Sequence, residues 1–313
     1  AWETIGLGQS GLDALPLAVA FDTGGRLLLG TDDGPRRLEA DGTWTHWGGV
    51  GVAAGTFCFS VAAGPGGRVL AGTAFGILVM DGPRADLLQQ AAAPVEQVSR
   101  MAFEAGGAAW LALPRRGIAR LAPDGGLLLE GQSGDLGTDA VWDLALDGDT
   151  LWVATADRGL RRRTPDGRWT GFGRQEGLAA DEVSTVHVDA IGQVWAGHLR
   201  GLPLPGEPLG GLSLRRLDGS WTQFTTANGL ADNSVRAMAS DSMGRLWVAS
   251  FDKGLSLRDE GGAWSVFDRA SGALPSDTVQ ALAVTPDGTV YAGTPGGLAI
   301  RDAAFGSWRV LGR

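Results

Sequence analysis

Residues 235–250 read Val-Arg-Ala-Met-Ala-Ser-Asp-Ser-Met-Gly-Arg-Leu-Trp-Val-Ala-Ser. Val235, Ala237 and Ala239 recur every second residue, the period of a strand with one packed face. Asp241-x-x-Gly244 reads as a turn, with Gly at positive φ and the Asp side chain bonded to turn backbone. A second strand follows from Arg245 to Ser250. The same offsets return along the chain. Val183–His198 places Val186, Asp189, Gly192 and Trp195 where Met238, Asp241, Gly244 and Trp247 stand. Val279–Thr294 repeats the pattern with Gly288 and Tyr291, and Val141–Thr155 repeats it one residue shorter. Looser copies run over Val98–Leu113, Cys58–Thr73 and Pro16–Thr31. The equivalent apolar positions are Leu28, Leu70, Trp110, Trp152, Trp195, Trp247 and Tyr291, spaced 42, 40, 42, 43, 52 and 44 residues apart.

Each unit holds two further strands. In the sixth they are Gly254–Arg258 and Trp264–Phe267, and matching fourth strands begin at Trp44, Trp169, Trp221 and Trp308. No segment carries a sustained helical period. A unit of this length with four short strands between Gly-rich turns is a propeller blade. The expected fold is therefore all-β: one seven-bladed β-propeller with four antiparallel strands per blade. The blades are expected over residues 8–54, 55–94, 95–135, 136–177, 178–229, 230–273 and 274–313. Trp2 lies 26 residues before Leu28, as Trp169 lies before Trp195, so residues 1–7 read as an extra outer strand that could close the ring.

Composition agrees with this reading. The 51 glycines among 313 residues serve the hairpin turns, and most of the 12 tryptophans fall at fixed offsets as wedges between blades. The net charge of −9 argues against a nucleic-acid backbone binder. No apolar run is long enough to enter a membrane, and the N-terminus lacks the pattern of a signal peptide. A single cysteine, Cys58, allows no intrachain disulfide and reads as a small buried hydrophobe.

Asn228-Gly-Leu-Ala-Asp-Asn-Ser-Val235, then Asp241–Ser250, then Gly254-Leu-Ser-Leu257 resemble the two-component regulator propeller repeat. Leu274-Pro-Ser-Asp-Thr-Val279 is similar to its opening, while the first three units match loosely. The resemblance implies a seven-bladed sensor-type module acting in the periplasm or outside the cell. It implies bacterial signal transduction, with a carbohydrate-related ligand a common input.

The loops entering each first strand share a face with those joining strands two and three, and such loops commonly carry function. The entering loops place Glu96, Asp139, Asp181, Asn233 and Asp277 at one equivalent position. These form either a ring for a cation or a polyol, or caps on their own turns. The other loops carry Arg115, Arg116, Arg158, Arg200 and Lys253, which form either a salt-bridged rim or a clamp for an anion. The blade 5 unit is longer by about nine residues, and its loop through 200–210 is expected to shape access to this face.

No catalytic signature emerges. His46, His187 and His198 lack metal-ligand spacing, there is no Gly-x-Ser-x-Gly elbow, and nothing singles out one carboxylate pair. The expected function is a non-catalytic binding module without cofactor or metal. It would receive a carbohydrate-related or anionic small molecule or a glycan. The alternatives are a scaffold for a protein partner and an enzyme acting on polysaccharide.

Overall fold

The computed structural model describes residues 12–47, 55–81, 84–88, 97–130, 136–138, 140–199, 210–304 and 306–311. Among them lie seven four-stranded antiparallel sheets, each a simple meander in chain order. The chain is a seven-bladed all-β propeller. Its helical content among the described residues is three single 3₁₀ turns, at Pro65–Gly67, Arg174–Glu176 and Thr226–Asn228. The expected extra strand at residues 1–7 lies outside the described residues, as does nearly all of the blade 5 insertion.

Blade 6 shows how the repeat becomes a blade. Its strands are Val235–Ser240, Leu246–Ser250, Leu255–Arg258 and Trp264–Phe267. The turn between the first two is tied by Asp241, whose Oδ1 accepts from the backbone N–H of Met243 and of Arg245 at 3.0 Å each. Gly244 takes φ +80° to close it. Asp189 and Asp22 make the same turn in blades 5 and 1. A second device sits where strand two turns into strand three. The side chain of Ser250 donates to the carbonyl of Gly254 at 2.8 Å, and Thr31, Thr73, Thr155 and Thr294 do likewise in their blades. The glycine at this position has positive φ in every blade, which a side chain resists.

Blades meet through small residues inside and aromatic residues outside. At Gly30, Gly72 and Gly197 a Cβ would stand 2.6, 2.3 and 2.6 Å from its nearest neighbours, mostly atoms of the next blade's first strand. That close approach is why Ala or Gly holds this position. Farther out, Trp247 of blade 6 packs on Phe267 at 5.4 Å between ring centroids, and Phe267 packs on Trp308 of blade 7 at 5.7 Å. Trp195–Phe224–Trp264 and Trp152–Phe172–Trp221 repeat the stack at the preceding junctions. An arginine of the following blade covers each stack: Arg215, Arg258 and Arg301. Trp110, Trp152, Trp195 and Trp247 are all buried. These tryptophans are wedges, as their spacing indicates. The ring closes where Leu27 and Leu29 of blade 1 meet Leu298, Ile300 and Leu311 of blade 7 in one apolar cluster.

The first strands differ from plain alternation. In five blades the pairing register shifts after the first residue, between Pro16 and Ala18, Cys58 and Ser60, Val141 and Asp143, Val183 and Thr185, and Val235 and Ala237. Two residues there oppose one on the partner strand, a bulge that re-aims the skipped side chain. Val235 stays buried, Arg236 is half-exposed and Ala237 is buried again.

Candidate functional site

The skipped residues are Leu17, Phe59, Trp142, Ser184 and Arg236; Ser99 and Gln280 hold the same place in blades 3 and 7. All seven line one cavity of about 440 Å³ at the mouth of the central channel. Phe57 comes from the loop entering blade 2, and Pro114 and Phe251 from loops joining strands two and three. The mouth thus opens on the face where sequence reasoning places function. Below it the channel narrows to about 210 Å³ between Ala18, Ser60, Arg100, Asp143, Thr185, Ala237 and Ala281.

Charge in this region is sparse and specific. Arg100 Nε lies 3.4 Å from Asp143 Oδ1. Asp143 also accepts from the Thr185 hydroxyl at 2.6 Å and from the backbone N–H of Val186 at 3.1 Å and of Leu144 at 2.9 Å. Burial pushes its carboxyl above the ordinary range, opposed by the Arg100 charge and these bonds. Arg236 has no carboxylate within ion-pair distance among the described residues. Its Nε donates to the Gln280 carbonyl at 3.3 Å, and its guanidinium lies over the Phe251 ring at 4.8 Å. Burial, and then the neighbouring Arg100 charge, pull its pKa below the usual arginine value. Asp143 is the one carboxylate lining mouth or channel among the described residues. Two arginines against one aspartate leave a net positive charge there, in a chain of net charge −9.

The described residues among those singled out from sequence are not among the side chains lining this mouth. Glu96, Asp139 and Arg200 fall outside the described residues. Asp181, Asn233 and Asp277 each turn a side-chain oxygen onto a backbone N–H of their own loop, at Arg174, Thr226 and Arg269, at 2.9, 2.8 and 2.6 Å. Their carbonyls accept from Gly159, Gly211 and Gly254 of the preceding strands. They therefore act as cross-blade staples, which is the capping arrangement of the two that the sequence allows. Arg115, Arg158 and Lys253 are exposed. Arg115 and Arg116 border a side cavity of about 180 Å³ that shares Gln97 and Pro114 with the mouth. Sequence reasoning missed Arg100, Arg236, Trp142 and Gln280. For Arg236, Trp142 and Gln280 the signal was present: an off-type residue directly after the apolar residue that opens each repeat, Val235, Val141 and Val279; Arg100 lies one place further on.

Other candidate chemistry is accounted for by packing. His198 is buried, with Nδ1 at the Glu182 carbonyl and Nε2 at the Ser213 hydroxyl, 3.0 and 2.8 Å away. Burial pulls its pKa, and that of His187, down to about 4. Cys58 is buried, and its thiol is pushed up to about 12. No group of three or more potential metal ligands occurs among the described residues. One carboxyl pair is in contact among the described residues. Asp232 shares a hydrogen bond with Asp252, and burial first, then this neighbour, raise the Asp232 pKa. A glycosidase needs its carboxyls about 5 Å apart or more, so direct contact does not suit that chemistry. A raised folded-state pKa means stability that is present at acid pH and lost as pH rises through it. Replacing Asp232 by Asn is expected to raise the melting temperature at pH 7 and to leave it unchanged near pH 3. Equal effects at both values, read by differential scanning fluorimetry, would refute the shared-proton description.

Residues 229–252 match the model of the two-component regulator propeller family. No curated protein matches the chain. Among solved structures, it is similar to the extracellular domain of BT4673 from B. thetaiotaomicron, described as a one-component system, with TM-score 0.74 and 19% identity. That match covers 93% of this chain and 38% of the other, so this chain spans well under half of that relative. PorZ, a surface component of the type-IX secretion system of Porphyromonas gingivalis, aligns with TM-score 0.71 and 16% identity over 92% of this chain and 46% of PorZ. Virginiamycin B lyase from Staphylococcus aureus aligns with TM-score 0.68 and 13% identity over 91% and 93%. At these identities the likeness is one of fold.

Proposed function

We propose that this chain, a seven-bladed fold carrying the two-component regulator propeller repeat, is a non-catalytic receiving module of a bacterial signalling protein. It works outside the cytoplasm and takes a small molecule in the mouth of its central channel. The observation that carries this reading is the mouth itself. Seven blades contribute one register position each, five of them at a bulge, and together they present aromatic, cationic and amide side chains around one cavity. Apolar walls with a few polar groups are the usual build of a small-molecule site. The fold shared with the extracellular domain of BT4673 supports the setting.

An enzymatic reading is weaker. A variant of virginiamycin B lyase with one histidine replaced by alanine is catalytically inactive. Here no histidine lines the mouth among the described residues. His46 sits on an outer strand and His187 and His198 are held neutral by burial.

The test is thermal shift of the native protein and of Trp142→Ala against sugars, polyols and organic acids. A compound that binds only the folded state raises the melting temperature by mass action. At least one compound is expected to stabilise the native protein and not the variant. If none does, and the protein instead retains a stable protein partner in pull-downs, the scaffold reading replaces this one. Turnover of a glycan by the pure protein would replace it with an enzyme.

A further inference from the structure

We infer that the mouth takes a flat aromatic monocarboxylic acid, its carboxylate on the terminal nitrogens of Arg236 and its ring among Phe59, Trp142 and Phe251. This deepens the reading of the mouth as the receiving site and rests on it. Arg236 carries the argument. Its Nε is committed to the Gln280 carbonyl at 3.3 Å and its plane is laid on Phe251 at 4.8 Å. The guanidinium is thereby oriented, and no carboxylate among the described residues lies within ion-pair distance of it. A planar fork held in place suits the two oxygens of a carboxylate.

The number of charges selects a monoanion. Arg100 is already matched by Asp143 at 3.4 Å, which leaves one uncompensated cation at the mouth among the described residues. The hydroxyls select against a sugar. Ser99 Oγ donates to the carbonyls of Ala112 or Trp142, both at 3.3 Å. Ser184 Oγ donates to those of Gly197 or Val235, at 3.0 and 2.7 Å. Both hydroxyl protons are committed to backbone, whereas a polyol needs a set of free donors and acceptors. What remains is mostly aromatic and aliphatic surface, the Arg236 fork and the two amides of Gln97 and Gln280. Gln280 Oε1 is buried in the mouth wall without a hydrogen-bond partner. A ring hydroxyl donating to it would satisfy it, so a hydroxylated aromatic acid is favoured over the plain one.

The probes are 4-hydroxybenzoate and benzoate, with benzamide as the neutral isostere, acetate as the non-aromatic acid and glucose as a polyol. Melting temperature and isothermal titration are read on the native protein, Arg236→Gln, Arg236→Lys and Arg168→Gln. Arg168 is a control, its side chain 85% exposed beside Asp166. The native protein should rise by about 2–4 °C with 4-hydroxybenzoate at about 10 mM, less with benzoate, and not with benzamide or acetate. Arg236→Gln should weaken 4-hydroxybenzoate at least about tenfold, the loss expected for a charge-assisted bond, with Arg236→Lys intermediate and Arg168→Gln unchanged. Without ligand, Arg236→Gln should melt at the native temperature or above it, because an unmatched cation beside Arg100 is removed.

Three results overturn the inference: no shift with either aromatic acid, equal shifts with benzamide and benzoate, or undiminished 4-hydroxybenzoate binding in Arg236→Gln. A fall of more than about 5 °C in the ligand-free melting temperature of Arg236→Gln would also overturn it, by making this arginine structural. If glucose stabilises the native protein but not Trp142→Ala while the acids do nothing, the mouth remains the receiving site and only its ligand class is wrong. If no probe of any class discriminates native protein from Trp142→Ala, both readings fall.

Discussion

Replacing Trp247 by alanine is expected to destabilise the propeller by about 3–5 kcal/mol, the range for deleting a large buried aromatic side chain. Trp247 is fully buried. Its ring touches Phe267 of its own blade at 5.4 Å, Trp308 of the next at 6.3 Å, and the Arg301 guanidinium at 5.4 Å. Removing it leaves a cavity at a blade junction, and two rigid sheets cannot collapse into that space without shifting the ring. Trp247→Phe keeps most of the contact area and should cost less than half as much. Urea unfolding monitored by circular dichroism reads both. A loss below about 1 kcal/mol for the alanine variant would contradict the wedge role.

Asp143→Ala is expected to cost a similar amount, about 3–5 kcal/mol, for a different reason. The carboxylate lies in the channel wall under the mouth. It takes three hydrogen bonds and faces Arg100. Truncation leaves the half-buried Arg100 without its counter-charge and strands a hydroxyl and two backbone N–H groups at once, and each left unsatisfied carries its own penalty. Asp143→Asn keeps an acceptor for Thr185 and mimics the neutral acid that burial favours, and should cost less. The pH dependence separates these contributions. Burial raises the folded-state pKa of Asp143 above its ordinary value of 3.8, so its ionised form is disfavoured in the fold. The native advantage over Asp143→Asn should be greatest below that value and shrink as pH rises past it. Chemical denaturation at pH 3.5 and 7 tests the sign. An advantage that grows with pH would mean that the Arg100 charge outweighs burial.

The two variants probe different parts of the repeat. Trp247 occupies a position whose equivalents are large and apolar in every blade, so its role was legible from spacing alone. Asp143 stands where other blades carry Ala18, Ser60, Thr185 and Ala281, and no period marks it. The loop positions at Asp181, Asn233 and Asp277 were legible as a class but not in purpose. Acidic and amide residues at equal offsets suit both a ligand ring and a set of caps, and only the direction of each side chain separates the two. In the structure those oxygens face backbone N–H groups of their own loops.

The architecture is written in the chain's own periodicity. Forty-odd-residue repeats, the Asp-x-x-Gly turns, the small residue near the end of each second strand and the tryptophans at fixed offsets are local demands, repeated until the ring is complete. Backbone geometry and blade-to-blade packing impose them on every copy, so periodicity exposes them. The mouth was decided only in three dimensions. Leu17, Phe59, Ser99, Trp142, Ser184, Arg236 and Gln280 are about forty residues apart and share a register, but only the two serines share a residue type. Bulges turn five of them out of the packed layer, and Ser99 and Gln280 hold the same place in their blades; the position is thereby freed from the constraint that makes the rest of the blade repetitive. Ring closure then brings seven unconstrained side chains around one axis. A site made this way leaves no spacing motif, because its chemistry lies in how the copies differ.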